Sequence, residues 1–173
     1  MSKFIYGLAM PFKSSYWEYE LLTNTFKFEL TNRESVTFWK EIVLTLNHDY
    51  SKVIGTTDRN LSLKVTNEGV FFRLIVDTKE GLKARSEVSK GTLNHCSISY
   101  LHRSVREPEE EQRVEQLGKL LGWDEKFVVT KYKEILVEEI CLTNNPANDE
   151  TFCTTNRNDP RLKGVRFVGH TSV

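Results

Sequence analysis

Three places along the 173-residue chain combine residue types able to move a proton or attack a carbonyl. The first is Asn47-His48-Asp49. At a period of two, Ile42, Leu44 and Leu46 share a strand face with His48, so an imidazole is aimed with a buried row just where the strand should stop. It must find a partner there, and two readings fit: a general base, or a core or turn histidine satisfied by a carbonyl. The second place is His95-Cys-Ser-Ile-Ser-Tyr-Leu101. Alternation puts Cys96, Ile98 and Tyr100 on one face and His95, Ser97, Ser99 and Leu101 on the other. A serine hydroxyl becomes a nucleophile once a base takes its proton, and uncommitted N–H groups at the start of a strand can hold the oxyanion that attack creates. A solvent-facing polar strand edge would alternate in the same way.

The third place is Ile135-Leu-Val-Glu-Glu-Ile-Cys-Leu142, apolar on both faces. Ile135, Val137 and Cys141 line one side and Leu136, Ile140 and Leu142 the other, so Glu138 and Glu139 fall one on each. If both faces are buried, one carboxylate needs a donor or a cation, because an unpaired buried charge costs several kcal/mol. A histidine would suffice. An edge strand with one glutamate in solvent is the alternative.

The elements that must position these residues are mostly strands. Runs rich in β-branched and aromatic residues cover Phe4 to Leu8, Phe26 to Leu30, Ile42 to Leu46, Leu61 to Val65, Val70 to Val76, Ser97 to Leu101 and Phe127 to Leu142, the last with a break expected near Tyr132. Thr66-Asn-Glu-Gly69 predicts a hairpin between the fourth and fifth. Two helices are expected. One runs from a cap at Asp77 or Thr78 to Lys90, with Leu82, Ala84 or Arg85, and Val88 as its apolar stripe and Gly91 as its stop. The other follows Pro108, with acids in its first turn and Val114, Leu117, Leu120 and Leu121 at helical spacing.

Composition narrows the class. Twenty-four basic residues balance 24 acidic ones, which argues against binding nucleic acid by bulk charge. The 39% hydrophobic content, with ten Phe, is too apolar for a disordered chain. The longest apolar stretch, Glu41 to Asn47, falls far short of the roughly 20 residues that span a bilayer. The N-terminus is too weakly apolar for a signal peptide, so a cytosolic address is expected. Cys96, Cys141 and Cys153 are odd in number and lack CxxC spacing, which supports neither a disulfide framework nor a zinc ribbon. Zinc held by His95, Cys96 and Cys141 is disfavoured because His95 and Cys96 point to opposite strand faces, and no cofactor is expected. One domain, 1–147, is predicted, with a polar, weakly ordered tail over 148–173, of which Val165 to Val168 could dock onto the domain.

Between Ile5 and about Ala147 the chain resembles the tailed-phage prohead serine proteases. Tyr6-Gly-Leu-Ala-Met-Pro-Phe12 is similar to that family's G-x-A-x-P-F, and Leu46-Asn-His-Asp49 followed by Ile54-Gly55 to its N-H-D…G. Val76-Asp-Thr78, a helix and Lys90-Gly91 then lead to Cys96-Ser-Ile-Ser-Tyr100, similar to R/K-G…M-S-F-G-F. Glu139-Ile-Cys-Leu-Thr-Asn-Asn-Pro-Ala147 matches E-V-S-V-V-T-x-P-A. Ser99 stands where the family has glycine, and Cys141 where it has serine.

The resemblance implies an α+β fold, mainly β, with a barrel-like antiparallel sheet flanked by helices as in the herpesvirus capsid-maturation protease (assemblin). It implies a serine endopeptidase with Ser97 as nucleophile, His48 as general base and Glu139 as third member. Ser99 is an alternative nucleophile, and His95 an alternative third member on the assemblin pattern. The implied substrates are the phage major capsid and scaffold proteins, and the enzyme itself, inside a prohead in the host cytoplasm. A homodimer is compatible with it; nucleic acid and membrane partners are not implied. The rivals are a protease fold kept as an inactive scaffold or assembly chaperone, and a cysteine hydrolase using Cys96, which the alternation disfavours.

Overall fold

The β-branched and aromatic runs form ten strands, and two longer amphipathic segments form α-helices, in a computed structural model that describes residues 3–12, 16–123 and 125–167. In chain order these are β1 (Phe4–Pro11), β2 (Tyr16–Glu20), β3 (Thr25–Leu30), β4 (Val36–Leu46), β5 (Gly55–Thr56), β6 (Leu61–Val65), β7 (Gly69–Ile75), α1 (Lys79–Lys90), β8 (His95–Arg106), α2 (Pro108–Leu120), β9 (Lys126–Thr143) and β10 (Phe152–Thr154). They make two sheets among the described residues. One has the order β10-β1-β7-β6 and is antiparallel throughout. The other is organised by β9, which carries β3 and then β4 in parallel along one edge and β8 antiparallel along the other, with β2 and β5 outside.

The expected class, mainly β with helices, is what forms, with two corrections. Among the described residues the strands form no closed barrel, and the sheet around β9 is mixed. β9 is one strand of 18 residues instead of two segments broken near Tyr132. The irregularity there is a slip in its pairing with β8 between Arg103 and Ser104, a bulge that bends a strand without ending it.

Both sheets face one cluster that includes Ile5, Phe72 and Leu74 from the first, Leu44, Ile135, Val137, Ile140 and Leu142 from the second, and Ala84 and Val88 from α1. α1 begins at Thr78, whose hydroxyl accepts from the Gly81 N–H at 2.9 Å, and ends at Gly91, whose φ of 73° gives the left-handed turn glycine adopts without strain. Its Leu82 is exposed, so the buried stripe is Gly81, Ala84 and Val88. α2 departs further. Leu117, Leu120 and Leu121 face solvent, and the helix sits down through Gly118, where a Cβ would press on the Phe127 ring at 3.0 Å, and through Glu111, which accepts from Arg106 and from the Val129 N–H.

The polar segment after Ala147 is not a weakly ordered tail over the described residues. β10 pairs with β1, and Phe152, Leu162 and Val165 bury against Tyr6, Leu8 and Phe71 on the outer face of the first sheet. Phe152 approaches so closely that a Cβ on Gly7 would collide with its carbonyl and with the Phe72 ring. Three buried apolar side chains are enough to dock a segment whose average composition is polar. Val168 lies outside the described residues.

Candidate active site

β9 brings the candidates together through an irregularity. Its register slips on both sides at the same place: Val137 pairs with Tyr100 and Phe38, while Glu139 pairs with Ser99 and Val43. Strict alternation would put Val137 and Ile140 on opposite faces, yet both pack in the core cluster, as do Ile135 and Leu142. The bulge at Glu138 therefore moves Glu139 and Cys141 away from the row of Ile135 and Val137 in which alternation placed them. Glu139 turns instead toward Thr45 on β4 and Ser99 on β8.

His48 departs from alternation as well. β4 stops at Leu46, and Asn47 and His48 have φ values of 53° and 57°, two successive left-handed residues of the types that tolerate this region best. The Asn47 N–H donates to the Leu142 carbonyl at 3.0 Å, which keeps the turn on β9. The imidazole thus leaves the face of Ile42, Leu44 and Leu46 and reaches the carboxylate, with Nδ1 2.8 Å from Glu139 Oε2.

Glu139 is fully buried, whereas the His48 side chain is 41% exposed. Three groups donate to the carboxylate: the Thr45 hydroxyl to Oε1 at 2.5 Å, and His48 Nδ1 and the Ser99 hydroxyl to Oε2 at 2.8 and 2.7 Å. Burial pushes the carboxyl pKa up, but the hydrogen bonds from Thr45, His48 and Ser99 outweigh it and hold the group below its usual value. Glu139 is then the anion, and Nδ1 carries the proton. Nε2 makes no hydrogen bond to a described residue and is the nitrogen left to act as base.

The two serines differ. Ser99 Oγ lies 3.3 Å from His48 Nδ1, the nitrogen already committed to Glu139, so it cannot pass its proton there. Ser97 sits one step along the same face, opposite Cys141, nearly buried, and makes no hydrogen bond to His48 or to any other described side chain. Burial raises the Cys141 thiol to about 11, against the opposing effect of the backbone amides of His48 and Ser97, so a neutral thiol lies between those two residues.

The remaining candidates are engaged elsewhere. His95 donates from Nδ1 to the Thr151 carbonyl at 2.8 Å. Burial pushes the Cys96 thiol well up, and its S–H points to the Phe152 carbonyl at 3.1 Å, which is not the environment of a reactive thiolate. Among the described residues no group of three His, Cys, Asp or Glu could hold a metal ion. Thr45 was not singled out from the sequence, although its hydroxyl interrupts an otherwise apolar run three residues before His48.

An imidazole held by a buried acid, beside a strand that carries two serines, is an arrangement compatible with serine-hydrolase chemistry. The family model of the caudovirus prohead serine proteases matches residues 6–162, nearly the whole chain, and the chain belongs to that family of phage head maturation proteases. No curated protein and no solved structure matches it.

Proposed function

We propose that the chain is the endopeptidase that trims scaffold and capsid-protein segments, and itself, inside an assembling prohead, with Ser97, His48 and Glu139 as a catalytic triad. The observation that carries this reading is the 2.8 Å contact between His48 Nδ1 and the buried Glu139 in a chain of this family. Ser97 Oγ attacks the scissile carbonyl as its proton passes to His48 Nε2, and the imidazolium is stabilised through Nδ1–H by Glu139. Collapse of the tetrahedral intermediate breaks the C–N bond, and Nε2 returns the proton to the leaving amine. Water, activated by the same imidazole, then releases the acyl group. Unliganded sites commonly hold nucleophile and base apart, and substrate closes the distance.

Ser99 is a positioning residue in this scheme, holding Glu139 Oε2 from the side opposite to Thr45. Extended substrates suit the sheet, because β8 pairs only with β9 among the described residues, and past Cys96, whose N–H and carbonyl are both bonded to the Thr151 hydroxyl, its other edge pairs with no further strand. Co-expression with the cognate major capsid protein, followed by mass spectrometry of both chains, should give defined new termini with the wild type and none with Ser97→Ala. A fluorophosphonate that labels no serine would favour the inactive-scaffold reading.

A further inference from the structure

A cavity of about 270 Å³ opens beside the open edge of β8. Ser97 lines it, together with Met10 of β1, Ile98 and Tyr100 of β8, and Tyr132 of β9. These walls are mostly apolar; Thr31, Asn148 and the His102 ring, 4.7 Å from that of Tyr132, also line the cavity, and one carboxylate enters it. Glu29, near the end of β3, lines the cavity and hydrogen-bonds with Tyr132, whose hydroxyl lies 3.3 Å from that of Tyr100. Burial together with Glu29 and Tyr100 raises the Tyr132 phenol far above its usual range, so it stays a neutral donor. Glu29 makes no ion pair with any described residue.

We infer that this cavity is the main specificity subsite and takes a substrate side chain with a long aliphatic stem and a cationic end, lysine or arginine, whose charge is met by Glu29. The stem would lie along Met10, Ile98 and the two tyrosine rings, which suit both a methylene chain and a cation passing over their faces. Ile98 and Tyr100 alternate with Ser97 and Ser99 and lie on the opposite face of β8, so the residue that enters the cavity would be one whose side chain turns to that face from a substrate strand laid along β8 with its carbonyl beside Ser97. A purely apolar substrate residue would leave the Glu29 carboxylate desolvated without a counter-charge, which penalises it. The inference rests on Ser97 being the nucleophile.

The test uses peptidyl diphenyl phosphonates whose residue next to phosphorus is lysine, leucine or glutamate. Each forms a bond from Ser97 Oγ to phosphorus with loss of phenol, read by intact mass, and a small fluorophosphonate reports nucleophile competence separately. The wild type should be labelled at least tenfold faster by the lysine reagent than by the leucine one. Glu29→Gln should lower that ratio at least tenfold, and Glu29→Lys should shift preference to the glutamate reagent. Labelling by the fluorophosphonate with leucine equal to or faster than lysine overturns the subsite alone, as does an unchanged ratio in Glu29→Gln. No labelling of Ser97 by any reagent overturns the nucleophile assignment and the subsite with it. The wild-type ratio needs no variant, so a variant that fails to fold does not shelter the inference.

Discussion

His48 Nδ1 lies 2.8 Å from Glu139 Oε2 although the two residues are 91 positions apart, and this one contact fixes which ring nitrogen is protonated and which is free. A carboxylate in that place acts through geometry and charge, so replacing it with an amide should spare the fold and spoil the tautomer. Glu139→Gln is expected to lower turnover by roughly 10⁴-fold on a capsid-derived peptide, with little change in KM. Glu138→Gln, at the bulge, should stay within about twofold of wild type. Equal losses in the two variants would remove Glu139 from the triad.

The two serines can be separated by their relation to the imidazole. Ser97→Ala should cost on the order of 10⁶-fold in turnover and abolish fluorophosphonate labelling. Ser99→Ala should cost only about 10- to 100-fold, the scale of losing a group that orients a functional one, and should keep the label on Ser97. A label that survives Ser97→Ala and vanishes with Ser99→Ala would exchange their roles.

His95 offers a third comparison. Its Nδ1–H is spent on the Thr151 carbonyl, which ties β8 to the segment leading into β10. His95→Ala should therefore lower unfolding stability by about 1 kcal/mol, the scale of one hydrogen bond, while reducing turnover only modestly. Loss of activity as deep as that of His48→Ala would point to a Ser-His-His triad.

The pH dependence of stability follows from the carboxyl held below its usual value. Glu139 is more acidic folded than unfolded, so its ionised form contributes stability that is complete above the unfolded glutamate range and is lost as pH falls through the folded value. Urea midpoints of the wild type and Glu139→Gln should differ by a constant amount above about pH 5, and the wild type should lose ground below about pH 4. A wild type that gains on the variant as pH falls would reverse the sign of the shift.

The segment after Ala147 is tested by packing. Leu162 is 3% exposed against Tyr6, Leu8 and Phe71, so Leu162→Ala should destabilise the protein by about 2–5 kcal/mol, measured by chemical denaturation. A change within about 0.5 kcal/mol would return the segment to the status of a tail.

Sequence alone determined what depends on neighbours along the chain. The hairpin at Thr66 to Gly69, α1 between Thr78 and Gly91, the mostly β class and the order of the family motifs are all written in local residue types, because turns, caps and alternation act within a few positions. Tertiary structure decided what depends on register between distant strands. Alternation aimed His48 into the core row and Glu139 along the row of Val137, and two departures corrected both: the left-handed pair Asn47 and His48, and the bulge at Glu138. The first is hinted at only by residue types that tolerate left-handed φ, and the second leaves no mark in the residue pattern, since where β9 takes an extra residue against β8 is set by the register of strands far apart in the chain. α2 shows the same limit from the other side. Its helical spacing was legible, but which face it buries was set by Gly118 meeting Phe127 and by Glu111 reaching Arg106 and the Val129 N–H, not by the leucine stripe.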